Sequence, residues 1–181
     1  MSPKSHKTII IATITLLSLL SFFVEGDDQL IDSLCKATEL PSSCYTCVKS
    51  KSGIDVTDTS IVTSMLTCAQ DDANKVHFEI IRTIDEGFTQ GNLTTALRTC
   101  SGLVVGIIAN SRPLKQLVSN AKYDLAKSSI EGPVYYNIDQ CNKVANQTNV
   151  TIPSPIFVGL SKLKIDYKLS LQLIKAVSTP V

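Results

Sequence analysis

Cysteine is the residue type with the clearest potential for chemistry in this chain of 181 residues. Cys44 and Cys47 have the CxxC spacing that redox and zinc sites use. A redox CxxC usually opens a helix in a βαβ unit, which this sequence does not predict, and zinc would require two more ligands. In a secreted chain, an even number of cysteines indicates structural disulfides instead. The cysteines form an N-terminal group and a distant pair, namely Cys35, Cys44, Cys47, Cys68, Cys100 and Cys141.

The other candidate catalytic residues form no recognisable site. His77 is the only histidine after residue 26, so it has no partner at metal-ligand spacing. The carboxylate pairs occupy adjacent positions, and adjacent side chains on a helix do not face each other as a general acid and base would. We therefore predict that the protein is not an enzyme and binds no metal or cofactor. The carboxylate pairs are Asp27–Asp28, Asp71–Asp72 and Asp85–Glu86.

Residues 1–26 predict a cleavable signal peptide. Lys4 and Lys7 precede an uncharged apolar run that extends from Thr8 to Val24, and the small Gly26 precedes the expected cleavage point. The alternative is an uncleaved membrane anchor, but the run is short for a span of about 20 residues. No later segment is expected to cross a membrane. We therefore expect residues 27–181 to be secreted as one domain without membrane attachment.

The composition of residues 27–181 excludes some classes of partner. Of 17 basic and 16 acidic residues, 15 of each remain once Lys4, Lys7 and Glu25 are removed with the leader. A neutral chain without a basic stripe is not expected to bind nucleic acid. The chain has no tryptophan and few aromatic residues, which argues against a carbohydrate-binding module. Three sequons predict N-glycosylation at Asn92, Asn146 and Asn149.

Apolar residues recur at steps of three and four, which predicts helices throughout. Residues 28–38 and 45–49 predict a short helical hairpin. A long helix follows, with Asp55 as its N-cap and Gly87 at its end. A second long helix extends over residues 93–121, and Pro113 predicts a kink near 108–111.

The third long helix is expected to be short. Its pattern covers residues 123–130, Gly132 and Pro133 predict a break, and residues 134–144 form a further turn. A last helix is predicted with Ser154 as its N-cap and Pro155 at its first helical position. No strand pattern of useful length is present. We predict an all-α protein, an up-down-up-down four-helix bundle with an N-terminal helical hairpin, stapled by disulfides.

The segment from Cys35 to Cys44, Cys-Lys-Ala-Thr-Glu-Leu-Pro-Ser-Ser-Cys, resembles a hairpin motif of the plant invertase and pectin methylesterase inhibitor family. That motif is Cys-x-x-Thr-x-x-Pro-x-x-Cys. The Ala-Leu-Arg-Thr-Cys segment that ends at Cys100, and the later Cys141, are also similar to the family pattern. The similarity covers essentially the whole chain after residue 26, which is therefore predicted to be an inhibitor-like domain.

The resemblance implies two disulfides, Cys35–Cys44 and Cys100–Cys141. Cys47 and Cys68 lie outside the four-cysteine pattern and remain as the third pair. The resemblance also implies a function, because members of this family are not enzymes but block the substrate cleft of a cell-wall or vacuolar hydrolase with one side of the bundle. It implies a secreted protein of the apoplast or cell wall, with the vacuole as the alternative.

The target enzyme is predicted from the start of the third bundle helix. Invertase inhibitors resemble one another in a Pro-Lys-Phe motif that is missing here, whereas Tyr123-Asp124 is similar to the Tyr-Asp of pectin methylesterase inhibitors. The resemblance therefore favours pectin methylesterase as a one-to-one partner, with invertase as the alternative. Two further alternatives are a family member without inhibitory activity and a helical protein that binds a small apolar ligand in its core. Full-sized Leu, Ile and Val in the apolar stripes favour a filled core over such a cavity.

Outward residues of the second and third bundle helices are the candidates for partner contact, against the alternative of an ordinary solvated surface. Tyr123 is the best single anchor, because tyrosine is enriched at interface hot spots. We expect its removal to weaken inhibition without lowering thermal stability. The partner-binding candidates are Lys115, Ser119, Lys122, Tyr123, Asp124 and Lys127.

Overall fold

The computed structural model describes residues 27–51, 53, 56–87, 91–147 and 150–179, except the side chains of 145–147. The predicted signal peptide, the predicted cap Asp55 and the sequon residue Asn149 lie outside these ranges. The described residues form helices and no strand, so the all-α prediction is confirmed. The helices are α1 (27–36), α2 (Pro41–Lys51), α3 (Asp58–Asp85), α4 (Gly91–Ser119), α5 (Tyr123–Ser129), α6 (Tyr135–Gln147) and α7 (Ser154–Ser178).

Four long helical segments make up the bundle. α3 packs against both α4 and α7, α4 packs against α6, and α2 joins the bundle through α3. The short connections after α3 and α4 make sequential helices antiparallel neighbours. The core consists of side chains that follow the predicted stripes, among them Val62, Met65, Ile80, Leu97, Val104, Ile107, Leu160, Leu163 and Tyr167.

The start of α3 differs from the prediction. Thr57 is the N-cap, and its hydroxyl oxygen accepts the backbone N–H of Ser60 at 3.1 Å. The Ser60 hydroxyl oxygen in turn accepts the backbone N–H of Thr57 at 2.8 Å, which completes a capping box. The cap of α3 therefore lies two residues after the predicted position. The predicted cap of α7 is also wrong, because Ser154 is the first residue of that helix and Pro153 is its N-cap. Asp58 lies in the first turn, where a carboxylate favours the helix dipole.

α4 is one helix although Pro113 lies inside it, as predicted. The proline leaves the carbonyl of Ala109 without its N–H partner, and exposure of that turn allows water to take its place. The kink near 108–111 stays a prediction. Contrary to expectation, α4 is long and apolar enough to cross a membrane by length and composition. A bundle helix meets the same criteria, and α4 contributes buried Leu97, Val104 and Ile107 to the core.

The predicted break at Gly132-Pro133 is wrong. The chain stays helical from α5 into α6 through a π-helical turn, Ile130–Val134. Proline cannot donate a backbone hydrogen bond, and the widened turn accommodates it while Ile130 and Val134 remain buried. The third bundle segment therefore extends over 25 residues, from Tyr123 to Gln147, and is not shortened.

Three disulfides close the structure: Cys35–Cys44 and Cys100–Cys141, which the resemblance implied, and Cys47–Cys68, the remaining pair. The first lies within the hairpin of α1 and α2, and the third links α4 to α6. Cys47–Cys68 joins α2 to α3 and is therefore the covalent link between hairpin and bundle.

Mild reduction of the native protein should open Cys47–Cys68 first. Both of its cysteines are half-buried and line a surface cleft, whereas the cysteines of the other two bridges are at most 1% exposed. A thiolate must reach a sulfur atom to exchange with it, so access sets the order. Differential alkylation with mass spectrometry measures it, and earlier labelling of Cys100 or Cys141 would contradict the expectation.

Candidate docking surface

The corner between α4 and α5 brings together four of the predicted partner-binding residues. Ser119 ends α4, Lys122 precedes α5, and Tyr123 and Asp124 begin it. The chain reverses through Ala121, whose φ of 54° is in the left-handed region. The backbone N–H of Ala121 donates to Val118 at 2.9 Å, and that of Lys122 donates to Leu117 at 2.8 Å, which is a Schellman motif.

Replacing Ala121 by glycine should stabilise the protein by about 0.5–1 kcal/mol. An alanine in this left-handed conformation costs about 1–2 kcal/mol, and the larger conformational entropy of glycine in the unfolded chain offsets part of the gain. Urea unfolding measures the change. Ala109→Gly, in the middle of α4, is the matched control and should destabilise by about 1 kcal/mol. Equal losses in both variants would contradict the strain at Ala121.

Tyr123 is not the exposed anchor that the sequence suggested. Its side chain is half-buried and packs against the core, and its hydroxyl lies 3.3 Å from the hydroxyl of Thr59 on α3. Its ring therefore ties the corner to α3. Removal of this side chain should lower stability, contrary to the expectation that stability would be unaffected.

The remaining two predicted residues lie apart from the corner. Lys115 is half-buried on the seam between α3 and α4, where its ammonium donates to the Gln70 side-chain oxygen at 2.7 Å. Lys127 is exposed one turn along α5. Of the predicted set, Ser119, Lys122, Asp124 and Lys127 are therefore exposed and available for contact, and Lys115 and Tyr123 serve mainly the packing of the bundle.

Ser119 also lines a shallow groove of about 400 Å³ beside the first three turns of α3. Its lining is dominated by hydroxyl side chains, and α3 has no charged residue between Asp58 and Asp71. The groove is polar, and Lys51 is the one charged residue in its lining. Its hydroxyl-bearing residues are Thr57, Thr59, Ser60, Thr63, Ser64, Thr67 and Ser119.

An uncharged stripe on the outer side of α4 was not predicted from the sequence. Gly102, Val105 and Ala109 are exposed on the outer side of α4, and residues 99–111 include no charge. Arg98 and Arg112 stand at the two ends of this α4 stripe, about 21 Å apart along the helix. The sequence could have indicated this stripe, because small and apolar residues occur at positions that lie on the outer face of a helix.

The α4 stripe borders α6. A Cβ on Gly106 would lie 2.9 Å from the side-chain amide nitrogen of Asn137, so the two helices pack closely there. Tyr136, next to Asn137, is 62% exposed, and Leu125 of α5 is exposed as well. Apolar centres with polar rims are the anatomy of protein–protein interfaces.

The charges around the α4 stripe are predominantly positive. Residues 91–129 carry five basic residues and Asp124 as the one acidic residue, although residues 27–181 are neutral in sum. A one-sided charge distribution of this kind steers a partner of opposite sign and orients it. The basic residues are Arg98, Arg112, Lys115, Lys122 and Lys127.

Comparison with known proteins decides what this architecture is. No family model matches the sequence, and no curated protein does. A crystal structure of a pectin methylesterase inhibitor from Arabidopsis thaliana matches with a TM-score of 0.60, over 84% of this chain and 98% of that one. The chain has the fold of a pectin methylesterase inhibitor. At 14% sequence identity, the likeness establishes the inhibitor fold and not the target.

Within the described ranges, no group of three or more His, Cys, Asp or Glu side chains could hold a metal ion. All six cysteines are in disulfides and are therefore not nucleophiles. The described surface consists of helix faces and shallow clefts.

Proposed function

We propose that the protein is a secreted inhibitor of pectin methylesterase that acts by binding the enzyme one-to-one and covering its substrate cleft. The observation that carries the proposal is the α4 stripe with its basic surroundings, on a fold shared with a pectin methylesterase inhibitor. The protein itself is not catalytic. Its three disulfides suit the oxidising medium of the apoplast and cell wall, or of the vacuole as the alternative.

The α4 stripe supports contact with a protein surface for two reasons. Small residues at Gly102 and Ala109 allow a partner to approach the helix backbone, and Val105 supplies an apolar centre. Arg98 and Arg112 then pair with acidic groups of the partner at the rim. The same arginines oppose self-association, because an antiparallel second copy would place Arg98 beside Arg112.

The exposed residues at the α4–α5 corner extend this surface. Lys122 and Lys127 add positive charge, and Asp124 and Ser119 add hydrogen-bonding groups. A glycan on Asn92, exposed in the first turn of α4, would sit about 40 Å along the helix from Ser119 and leave the corner open. Asn146 and Asn149 remain candidates for glycosylation.

Invertase is the alternative target. Tyr123-Asp124 at the start of α5 favours pectin methylesterase, through the resemblance to its inhibitors. A ligand-binding role is less well supported, because the stripes of the bundle interior are filled by full-sized side chains. A family member that binds neither enzyme remains the outcome if both assays fail.

Calorimetric titration of the oxidised protein into pectin methylesterase and into acid invertase tests the proposal. We expect one-to-one binding to the methylesterase, and binding that weakens as salt is added, because the surface around the α4 stripe is basic. Binding to invertase alone would contradict pectin methylesterase as the target and would favour invertase. Binding to neither would overturn the inhibitory role.

A further inference from the structure

A cluster of charged residues joins α3 to α7 along a cleft that residues of α2 also line. Asp72 of α3 is 7% exposed and Asp166 of α7 is 4% exposed. The two carboxyl groups contact the same ammonium group, that of Lys162. Lys162 lies between them, bonded to Asp72 and at 3.1 Å from Asp166, and Lys75 donates to Asp72 at 2.8 Å.

The two sides of this cluster differ in burial. Both carboxyl groups are nearly inaccessible, whereas the side chains of Lys75 and Lys162 are 75% and 59% exposed. Solvated ammonium groups compensate buried charge only in part, and a second negative charge beside the first is costly. The cluster therefore favours one carboxylate and one protonated carboxyl group. The protonated group can then donate a hydrogen bond to the carboxylate.

We propose that Asp72 and Asp166 form an acid-dependent clasp between α3 and α7, which holds one shared proton in mildly acidic medium and loosens when that proton is lost. The proposal concerns the bundle itself and does not depend on the target enzyme. It explains why two acidic residues occupy an otherwise apolar helix–helix seam. Gly159, one turn before Lys162 on α7, lies so close to α3 that a Cβ there would meet Val76 at 2.6 Å, so separation of the helices would disturb tight packing.

The ionisation of the two groups agrees with this geometry. Burial and the hydrogen bond to Asp72 raise the pKa of Asp166 to about 6. Burial would also raise the pKa of Asp72, but hydrogen bonds from Asp166, Lys162 and Lys75 outweigh it and lower that pKa to about 2. Burial opposes the charge of Lys162, yet its bonds to both carboxylates raise its pKa, so it stays positive.

Other charged groups near the clasp are few. Lys51 of α2 and Asp71 of α3 form an ion pair at 2.7 Å along the same cleft. Tyr167 follows Asp166, but its hydroxyl points toward Ser111 of α4, at 3.4 Å. His77 is the one histidine after residue 26, and it lies on α3 outside the group of contacts described for the clasp.

The direction of the pH effect follows from the two pKa values. Asp166 holds its proton more tightly when folded, so its contribution to stability is present below its ordinary pKa of 3.8 and is lost as the pH rises through about 6. Asp72 contributes above its ordinary pKa and loses that contribution as the pH falls toward about 2. Stability is therefore greatest between these limits and declines toward neutral pH.

Urea unfolding of the oxidised protein at about pH 4.5 and about pH 8 tests the clasp. The unfolding equilibrium constant should be roughly 25-fold larger at the higher pH, because pH 4.5 lies about 1.5 units below the folded pKa of Asp166, about 6, and above its ordinary pKa of 3.8. Asp166→Asn keeps a neutral donor at this position and should remove most of that pH dependence. His77→Gln, which changes a residue of α3 outside the clasp contacts, is the control and should keep the wild-type dependence.

Equal unfolding constants of the wild type at both pH values would overturn the clasp, as would an Asp166→Asn variant that keeps the full dependence. If Asp166→Asn does not fold, carbon-13 NMR of the aspartate carboxyl groups of the wild type decides. One aspartate should titrate near pH 6. Titration of every aspartate below about pH 5 would contradict the shared proton.

Discussion

Val105→Asp should lower the affinity of the protein for pectin methylesterase by about 100-fold while the fold is retained. Val105 is 46% exposed at the centre of the α4 stripe, so an aspartate there remains solvated in the free protein. In the complex it would be buried without a partner against an enzyme surface that we expect to be acidic. Such a charge costs about 3 kcal/mol, which is roughly 100-fold in affinity. The inhibition constant measures the loss.

Val158→Asp is the matched control for this substitution. Val158 is 59% exposed on α7, next to the Gly159 that faces α3, and it lies outside the surface formed by α4 and α5. The same change of residue at similar exposure should leave inhibition unaltered. Equal inhibition by wild type and Val105→Asp would show that the α4 stripe is not the docking surface, and equal losses in both variants would show a general effect of charge.

Tyr167→Ala should have the largest effect on stability, a loss of about 3–5 kcal/mol in the free energy of unfolding. Tyr167 is fully buried in α7, and its ring fills the centre of the bundle. Truncation leaves a cavity in the layer where α7 meets α3 and α4. It also removes one partner of the Ser111 hydroxyl, 3.4 Å away, and leaves that hydroxyl its bond to the Ile107 carbonyl oxygen. Urea unfolding at a single pH measures the change.

Two further variants separate the causes of this loss. Tyr167→Phe keeps the ring and should cost about 1 kcal/mol, because the hydrogen bond to Ser111 contributes little beyond packing. Tyr136→Ala removes the same side chain at a position that is 62% exposed, and it should change stability by less than about 0.5 kcal/mol. A loss below about 1 kcal/mol for Tyr167→Ala would contradict the packing described here.

The spacing of apolar residues at steps of three and four predicted the helices well, because a helix that buries one face needs its apolar residues at that spacing. Val62, Ala69, Val76 and Ile80 lie at predicted inward positions of α3, and all four are buried. The prediction failed where local signals compete with tertiary structure. Gly132-Pro133 predicts a break in an isolated helix. In the bundle, the burial of Ile130 and Val134 keeps the chain helical through a π turn.

The exposure of the candidate docking residues was predictable in part. Lys122, Asp124 and Lys127 were expected to be exposed and are. The half-burial of Tyr123 was not predicted, because its contact with Thr59 joins residues 64 positions apart, which no local pattern reveals. The clasp was missed for a similar reason. Asp72 looked like a solvated neighbour of Asp71, and only the packing of α7 against α3 places Asp166 beside it.

The most direct test of the proposed function is an activity titration. Pectin methylesterase and acid invertase are each assayed in mildly acidic buffer against increasing amounts of the oxidised protein. We predict that methylesterase activity falls to near zero at about one equivalent while invertase activity is unchanged. Full methylesterase activity at a large excess of wild-type protein would contradict the proposal that this inhibitor fold acts on pectin methylesterase.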